Sequence, residues 1–315
     1  MRITYSIIAP IYNEIDNLAE LHRRVKSVMD GAGEPWELIL VDDGSIDGST
    51  EKIRELSQKD SAVRPIIFAR NFGHQVAITA GWDYARGDAV VIIDADLQDP
   101  PEVILELVKK WKEGYEVVYA VRGERVGESW FKLWTASIFY RLIYRITDVK
   151  IPVDTGDFRL MDRKVVNVLK QMKERHRFPR GMSAWVGFKQ IGVTYKRAAR
   201  VAGVTKYPFN RMLRLAVNAI TSFSYFPLQV ATFFGFISAG LAILAIPVVI
   251  YMRITGSGAF IGQATTLIAV LFLGGVQLIS LGILGEYIGR LYDEAKGRPL
   301  YIVRDAPEQE QPPKS

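Results

Sequence analysis

The chain has 315 residues, enough for one large domain or two modest ones, and 49% of them are hydrophobic against 23% charged. It contains no cysteine, which excludes a disulfide scaffold and a zinc–thiolate site and suits a reducing compartment. The net charge of +6 is distributed so unevenly that a charged N-terminal part is set off from two long uncharged stretches near the C-terminus.

Residues 1–14 read as a strand and its turn rather than as the basic start and apolar core of a signal peptide. Short buried strands are predicted at Ile3–Ala9, Glu37–Val41, Arg64–Ala69, Ala89–Asp94 and Glu116–Ala120. Helical spacing falls between them at Leu18–Met29, Ser49–Gln58, Gln75–Tyr84 and Pro101–Lys112. Strands alternating with helices predict an α/β fold with a mostly parallel sheet and helices on both faces. Ligands of such sheets sit beyond the carboxyl ends of the strands. Three polar clusters fall there: PIYNE at 10–14, VDDGS at 41–45 and DADLQD at 94–99.

Residues 128–147 mix Trp130, Phe131, Trp134, Tyr140 and Tyr144 with Lys132, Arg141 and Arg145, a pattern suited to an amphipathic helix in a membrane interface or packed on the domain. Residues 208–225 read the same way. The 38 residues Leu215–Met252 and the 32 residues Ile254–Gly285 carry no Asp, Glu, Lys or Arg. A bilayer core needs about 20 apolar residues per helix, so transmembrane spans are predicted near Phe226–Met252 and Gly262–Tyr287. Arg211 and Arg214 precede the first span, Arg290, Lys296 and Arg298 follow the second, and only Arg253 lies between them. The positive-inside rule puts both termini in the cytoplasm. The tail after Val303 is polar and proline-rich and reads as disordered. The expected division is a cytoplasmic catalytic domain over 1–225, a two-helix membrane domain over 226–290, and a partly disordered cytoplasmic tail over 291–315.

The Asp94-x-Asp96 pair at the end of an apolar strand admits three readings: a divalent metal site, a haloacid-type phosphotransferase, or helix-capping acids. The haloacid reading is weakened by Gln98, where that group usually has Thr or Val. Asp99, just before Pro100–Pro101, is expected to cap the following helix. His22, His74 and His176 lack metal-ligand spacing; His74 is a candidate to line a donor pocket.

PIYNE, VDDGS, RNFGHQVAITAG and DADLQDPPE, in that order over residues 10–102, resemble family 2 glycosyltransferases of the GT-A fold. TGDFRLMDR at 155–163, RVAGVTKYP at 200–208 and the two C-terminal spans narrow the resemblance to polyprenyl-phosphate glycosyltransferases, the group of dolichol-phosphate mannose synthase and the bacterial GtrB-type enzymes. Thr205 stands where that group has Ser and keeps the hydroxyl.

The resemblance implies inverting transfer of one sugar, glucose first, from a UDP-sugar to a polyprenyl phosphate such as undecaprenyl phosphate. N-acetylglucosamine, mannose and aminoarabinose remain open as the sugar. Pro10, Tyr12, Glu14, Asp42, Asp43 and Asp94 would line the nucleotide pocket, and Asp94, Asp96 and Gln98 would hold Mg²⁺ or Mn²⁺. Arg122, Arg200 and Lys206 would meet the acceptor phosphate. Asp157 takes the place of the family's catalytic Asp, either as a base or as a residue that positions an Arg or the metal. The resemblance also implies the bacterial inner membrane, a homo-oligomer (a tetramer among the options) and no nucleic-acid partner. The competing readings are a processive polysaccharide synthase, whose Gln-x-x-Arg-Trp motif is absent here, and a non-catalytic membrane scaffold.

Overall fold

A computed structural model describes residues 2–123, 155–196, 224–255 and 263–307. These fall into two units, a sheet domain that includes the chain beyond Arg298 and a helical unit over Leu213–Gly297.

The sheet domain runs β1 (Tyr5–Ile11), α1 (Ile15–Ala32), β2 (Trp36–Asp42), α2 (Ser49–Lys59), β3 (Val63–Phe68), α3 (His74–Tyr84) and β4 (Ala89–Ile92). A 3₁₀ turn (Pro101–Val103), α4 (Ile104–Lys112) and β5 (Val117–Arg122) follow. After residues 124–154 come β6 (Thr155–Asp162), α5 (Arg163–Gln171), α6 (Pro179–Trp185) and β7 (Gln190–Tyr195). The five expected strands and four expected helices all form, with ends shifted by at most three residues. The cause is visible in the burial: β1 is buried along its whole length. In α1, Leu18, Leu21, Val25, Val28 and Met29 make one apolar stripe against the sheet.

The eight-stranded sheet has the order β7-β5-β6-β4-β1-β2-β3-β8. Parallel pairing joins β4-β1-β2-β3, as the alternating pattern predicts. The rest is mixed. Strand β6 lies antiparallel between β4 and β5, and β7 pairs parallel to β5. Pro10 sits within the central strand β1 without breaking a ladder. On that side β4 ends at Ile92 opposite Ile8, so no carbonyl awaits the missing N–H.

The helical unit contains α7 (Phe226–Ile254) and α8 (Gln263–Ala295). Their apolar windows, Phe226–Tyr251 and Ala269–Ala295, are 26 and 27 residues long, and no part of either is buried. A core helix pair of a soluble protein would be buried, so exposure on this scale argues for lipid contact. The Thr232 and Ser280 hydroxyls donate to the carbonyls of Leu228 and Val276 at 3.0 and 2.9 Å, so neither presents a free donor to an apolar medium.

The chain then returns to the sheet domain. Strand β8 (Val303–Asp305) pairs antiparallel with β3, Ile67 opposite Asp305 and Phe68 opposite Val303. Arg304 and Asp305, read from sequence as the start of a disordered tail, are strand residues. The expected interfacial helix at 128–147, and all but the last two residues of that at 208–225, lie outside the described residues.

Candidate active site

Strand direction decides which side chains meet. Strands β1, β2 and β4 end at one edge, and β5 and β7 run in the same sense. Strand β6 runs the other way, so its first residues, not its last, reach that edge. Its register with β4 pairs Ile92 with Arg159; continued by two residues, it sets Asp157 opposite Asp94. One edge thus gathers Tyr12 and Glu14 after β1, Asp42 and Asp43 at the end of β2, His74 at the start of α3, Asp94 to Gln98 after β4, Arg122 ending β5 and Asp157 at the start of β6.

The β1 and β2 loops lock together. Asn13 adopts φ 55°, its amide oxygen accepts the Ile46 N–H at 2.9 Å, and its own N–H meets the Ser45 hydroxyl at 3.0 Å. Asp42 accepts from the Ser45 N–H at 2.9 Å and from the Thr50 hydroxyl. Asp43 accepts from the Phe72 N–H at 2.6 Å and the Gly73 N–H at 2.9 Å. Both carboxylates are buried and act first on their own loops. Burial pushes the Asp43 carboxyl up, against the two N–H bonds. Gly44 (φ 72°) cannot be replaced cheaply, because a Cβ there would lie 2.5 Å from the Arg70 carbonyl carbon. Tyr12, 48% exposed, presents an open ring beside Glu14, which accepts from the Asn17 amide at 2.6 Å.

After β4 the chain turns at Leu97, a buried side chain held at φ 59°. That conformation is uncommon for a branched residue and marks a turn fixed by its surroundings. Asp96 Oδ1 accepts the Gln98 N–H at 3.1 Å. Asp94 Oδ1 is enclosed yet has no hydrogen-bond donor; its nearest cationic atom is His74 Nε2 at 3.6 Å. Burial pushes the Asp94 carboxyl up to about 6; His74 opposes this, and Asp157, Asp99 and Asp96 reinforce it. An enclosed carboxylate oxygen lacking a donor, with a second carboxylate and a carboxamide within four residues, is a donor set that fits a hard divalent cation. Among the described residues no three His, Asp or Glu side chains make a ready cage, so such an ion would take its other oxygens from a bound phosphate or water.

Asp157 is only 4% exposed and is clamped. Arg180, from α6, donates Nε to Oδ1 at 2.8 Å and Nη2 to Oδ2 at 3.1 Å. His74 Nε2 lies 3.3 Å and Gln75 Nε2 3.4 Å from Oδ2. Burial opposes the charge, but Arg180 and His74 outweigh it and hold the carboxyl well below the usual carboxylate range. His74 moves the other way: burial lowers it, and Asp157 and Asp94 raise it above the ordinary imidazole value.

Asp99 does not cap the helix that follows. It is fully buried and accepts a hydrogen bond from the Tyr195 hydroxyl, while the 3₁₀ turn begins at Pro101 without a side-chain cap. Arg122 lies beside Tyr195 and over Gly156, where a Cβ would stand 3.0 Å from its Nη2. Arg122 Nε is enclosed and has no partner. Arg200 and Lys206 lie outside the described residues. Sequence reasoning missed Arg180: an Arg between Pro179 and Gly181 in RFPRGMS carries no periodic or spacing signal.

Comparison with known proteins gives the family. Residues 6–169 match the family described as Glycosyl transferase family 2. The glycosyltransferase YkcC of Bacillus subtilis (strain 168) is 53% identical over 302 residues, covering 96% of this chain and 94% of that one. A prophage bactoprenol glucosyl transferase homolog of Escherichia coli (strain K12) is 42% identical over 299 residues, 95% of this chain and 98% of its own. The bactoprenol glucosyl transferase of Shigella phage SfV is 41% identical over 300 residues, with coverage of 95% and 98%. With the family matched over more than half its length and relatives aligned nearly end to end, this chain belongs to glycosyl transferase family 2.

Proposed function

We propose that the chain transfers one glucosyl unit, with inversion, from UDP-glucose to the phosphate of a membrane-held polyprenyl carrier such as undecaprenyl phosphate. The observation that carries this reading is the presence, in one chain, of a carboxylate-lined sheet edge and two long apolar helices with no buried window. The first suits a nucleotide-sugar donor and the second a lipid acceptor. The near full-length likeness to bactoprenol glucosyl transferases supports the same sugar and carrier.

On the donor side, Tyr12 offers an aromatic face to the base and Glu14 an acceptor for ribose hydroxyls. Pro10, Asp42 and Asp43 shape the floor by fixing the loops around it. Asp94, Asp96 and Gln98 would hold Mg²⁺ or Mn²⁺, which when bound supplies Lewis-acid stabilisation of the departing diphosphate. On the acceptor side, Arg122, with Arg200 and Lys206, offsets the negative charge of two converging phosphates.

The nucleophile needs no strong base. A phosphate monoester has a second pKa of about 6, so the attacking oxygen is already anionic at neutral pH. The new bond from this oxygen to the anomeric carbon forms as the bond to the β-phosphate oxygen breaks, and no proton has to move. Asp157, held well below the usual carboxylate range by Arg180 and His74, is a poor proton acceptor. Its place in the reaction is that of a fixed anion which positions its neighbours.

The inner membrane and a cytoplasmic catalytic domain are part of the same proposal. The chain leaves the sheet domain before α7 and rejoins its sheet at β8, which supports a reading with both ends of the helix pair on one side of the bilayer. The balance of positive charge supports the cytoplasm as that side. The test is a panel of radiolabelled UDP-sugars with undecaprenyl phosphate and the purified chain. Label from UDP-glucose should enter the lipid fraction and stop with EDTA. Transfer from a different donor overturns the sugar; transfer from none overturns the reaction.

A further inference from the structure

We infer that Arg180 is a positioning residue of the transfer reaction, acting through Asp157 to hold His74 and the first turn of α3 against the Asp94 end of the site. The inference rests on the proposed glycosyl transfer and extends it to a residue that no motif marks.

The geometry is a chain of contacts. The Arg180 guanidinium meets Asp157 with two parallel bonds of 2.8 and 3.1 Å, the fork arrangement that fixes a carboxylate in angle as well as distance. The same carboxylate reaches His74 at 3.3 Å and Gln75 at 3.4 Å, the first two residues of α3. His74 in turn stands 3.6 Å from Asp94. Arg180 is itself held. Arg159, 3% exposed on β6, donates to the Ser183 hydroxyl and to the Gly156 carbonyl at 3.0 Å, and the Ser183 hydroxyl donates to the Arg180 carbonyl at 3.1 Å. The short helix α6 is thereby pinned to the strand that carries Asp157.

Charge gives this arrangement its purpose. Asp157 and Asp94 face each other across neighbouring strands with His74 between them. Two carboxylates so placed do not both stay ionised without cations. Arg180 is the cation that leaves His74 free to face Asp94, because it meets the charge of Asp157 with two bonds of its own. Without it His74 is drawn wholly to Asp157, and the wall of the donor site moves.

The experiment uses the full-length chain in detergent or nanodiscs, with UDP-glucose and undecaprenyl phosphate, and compares Arg180→Gln, Arg180→Lys, Asp157→Asn and the Asp157→Asn/Arg180→Gln pair. A misplacement of about 1 Å costs on the order of a hundredfold, so Arg180→Gln should lower kcat roughly tenfold to a hundredfold. UDP affinity by calorimetry should stay within about twofold, since a positioning role touches turnover rather than ground-state binding. Arg180→Lys should recover part of the loss. The paired variant should turn over at the rate of Asp157→Asn alone, because a residue acting only through Asp157 has nothing further to lose. The inference is overturned if Arg180→Gln keeps wild-type kcat, if UDP binding falls by the same factor as kcat, or if the two losses multiply in the pair. Should Arg180→Gln alone fail to fold, Arg180→Lys and the paired variant, which removes both charges of the clamp together, decide the same question. Failure of the underlying reading shows separately, as absence of transfer by the wild-type chain.

Discussion

Replacing Tyr301 by phenylalanine removes one hydroxyl from the segment that follows the second apolar helix. The Tyr301 hydroxyl donates to Asp83 Oδ2 at 2.8 Å, and its ring stacks on Phe68 with centroids 5.1 Å apart and planes at 17°. Around it, Ala69 donates its N–H to the Ile302 carbonyl at 2.9 Å, and Arg54 pairs with Asp305 at 3.3 Å. The last pair is exposed at both ends and contributes little. The hydroxyl is another matter, because a hydrogen bond to a charged group contributes about 1.5–3 kcal/mol. Burial already raises the Asp83 carboxyl, and the Tyr301 bond is the first influence that lowers it. Tyr301→Phe should therefore cost about 1.5–3 kcal/mol, and Tyr301→Ala a further 0.5–1.5 kcal/mol, roughly, for the lost stacking. At about 2–4 °C per kcal/mol for a domain of this size, Tyr301→Phe should lower the unfolding midpoint by about 3–12 °C. Hydrogen exchange adds a spatial readout: protection should fall first at Phe68–Ala69 and Val303–Asp305. An unchanged midpoint together with unchanged exchange in β3 would refute the claim that the post-membrane segment is a structural part of the catalytic sheet.

The metal assignment predicts that activity disappears in EDTA and returns with Mg²⁺ or Mn²⁺, and that Asp96→Asn is inactive yet folded by circular dichroism; an active variant in EDTA contradicts it. Lys206→Ala should weaken use of undecaprenyl phosphate about tenfold to a hundredfold, with UDP affinity by calorimetry little changed, and the reverse result would move Lys206 to the donor diphosphate. Reporter fusions at Ser257 and Ser315 should report opposite sides of the membrane, with Ser315 cytoplasmic; the same side for both breaks the topology. Glu37, fully buried, bonds Ser6 at 2.6 Å, the Arg86 N–H at 2.8 Å and Arg64 at 2.9 Å. Burial opposes its charge, but these partners hold its carboxyl below the usual range, so its contribution is complete above the unfolded value of about 4.3 and is lost as pH falls through the folded value. Glu37→Gln should cost about 3–5 kcal/mol at neutral pH and progressively less in acid, read as the gap between wild-type and variant unfolding midpoints across pH.

The parallel half of the sheet was legible because its signals are local. Each strand is a short apolar run ending at acids or a turn, and each helix repeats its apolar positions every three or four residues, as in Leu18, Leu21 and Val25. The acids after β4 were legible for the same reason: Asp94 and Asp96 follow directly on an apolar strand. Strand β8 was not. Three residues, one of them Arg304 and one Asp305, carry no alternation, and what makes them a strand is the open edge of β3 some 235 residues earlier. Asp99 misled for a related reason. Its neighbours Pro100 and Pro101 are the local mark of a helix start, but its partner, Tyr195, is 96 residues away.

The site depends most on the least local feature. A fully parallel sheet would bring only strand ends to the ligand edge, and Asp157, which begins β6, would be carried to the opposite side. Because β6 is inserted antiparallel between β4 and β5, a strand start is added to a row of strand ends, and Asp157 comes to face Asp94. That adds a second buried carboxylate to an edge already rich in acids, which is unfavourable by itself. The chain continues from β6 through α5 to α6, and α6 supplies Arg180 to the same carboxylate. The strand that creates the electrostatic problem and the helix that answers it are thus one contiguous stretch of sequence, Thr155–Trp185. Asp94 has no such partner of its own among the described residues: its enclosed oxygen faces His74 at 3.6 Å without a hydrogen bond. The two halves of the edge therefore differ in kind, one neutralised by a bidentate Arg and the other with an enclosed carboxylate oxygen that no donor meets.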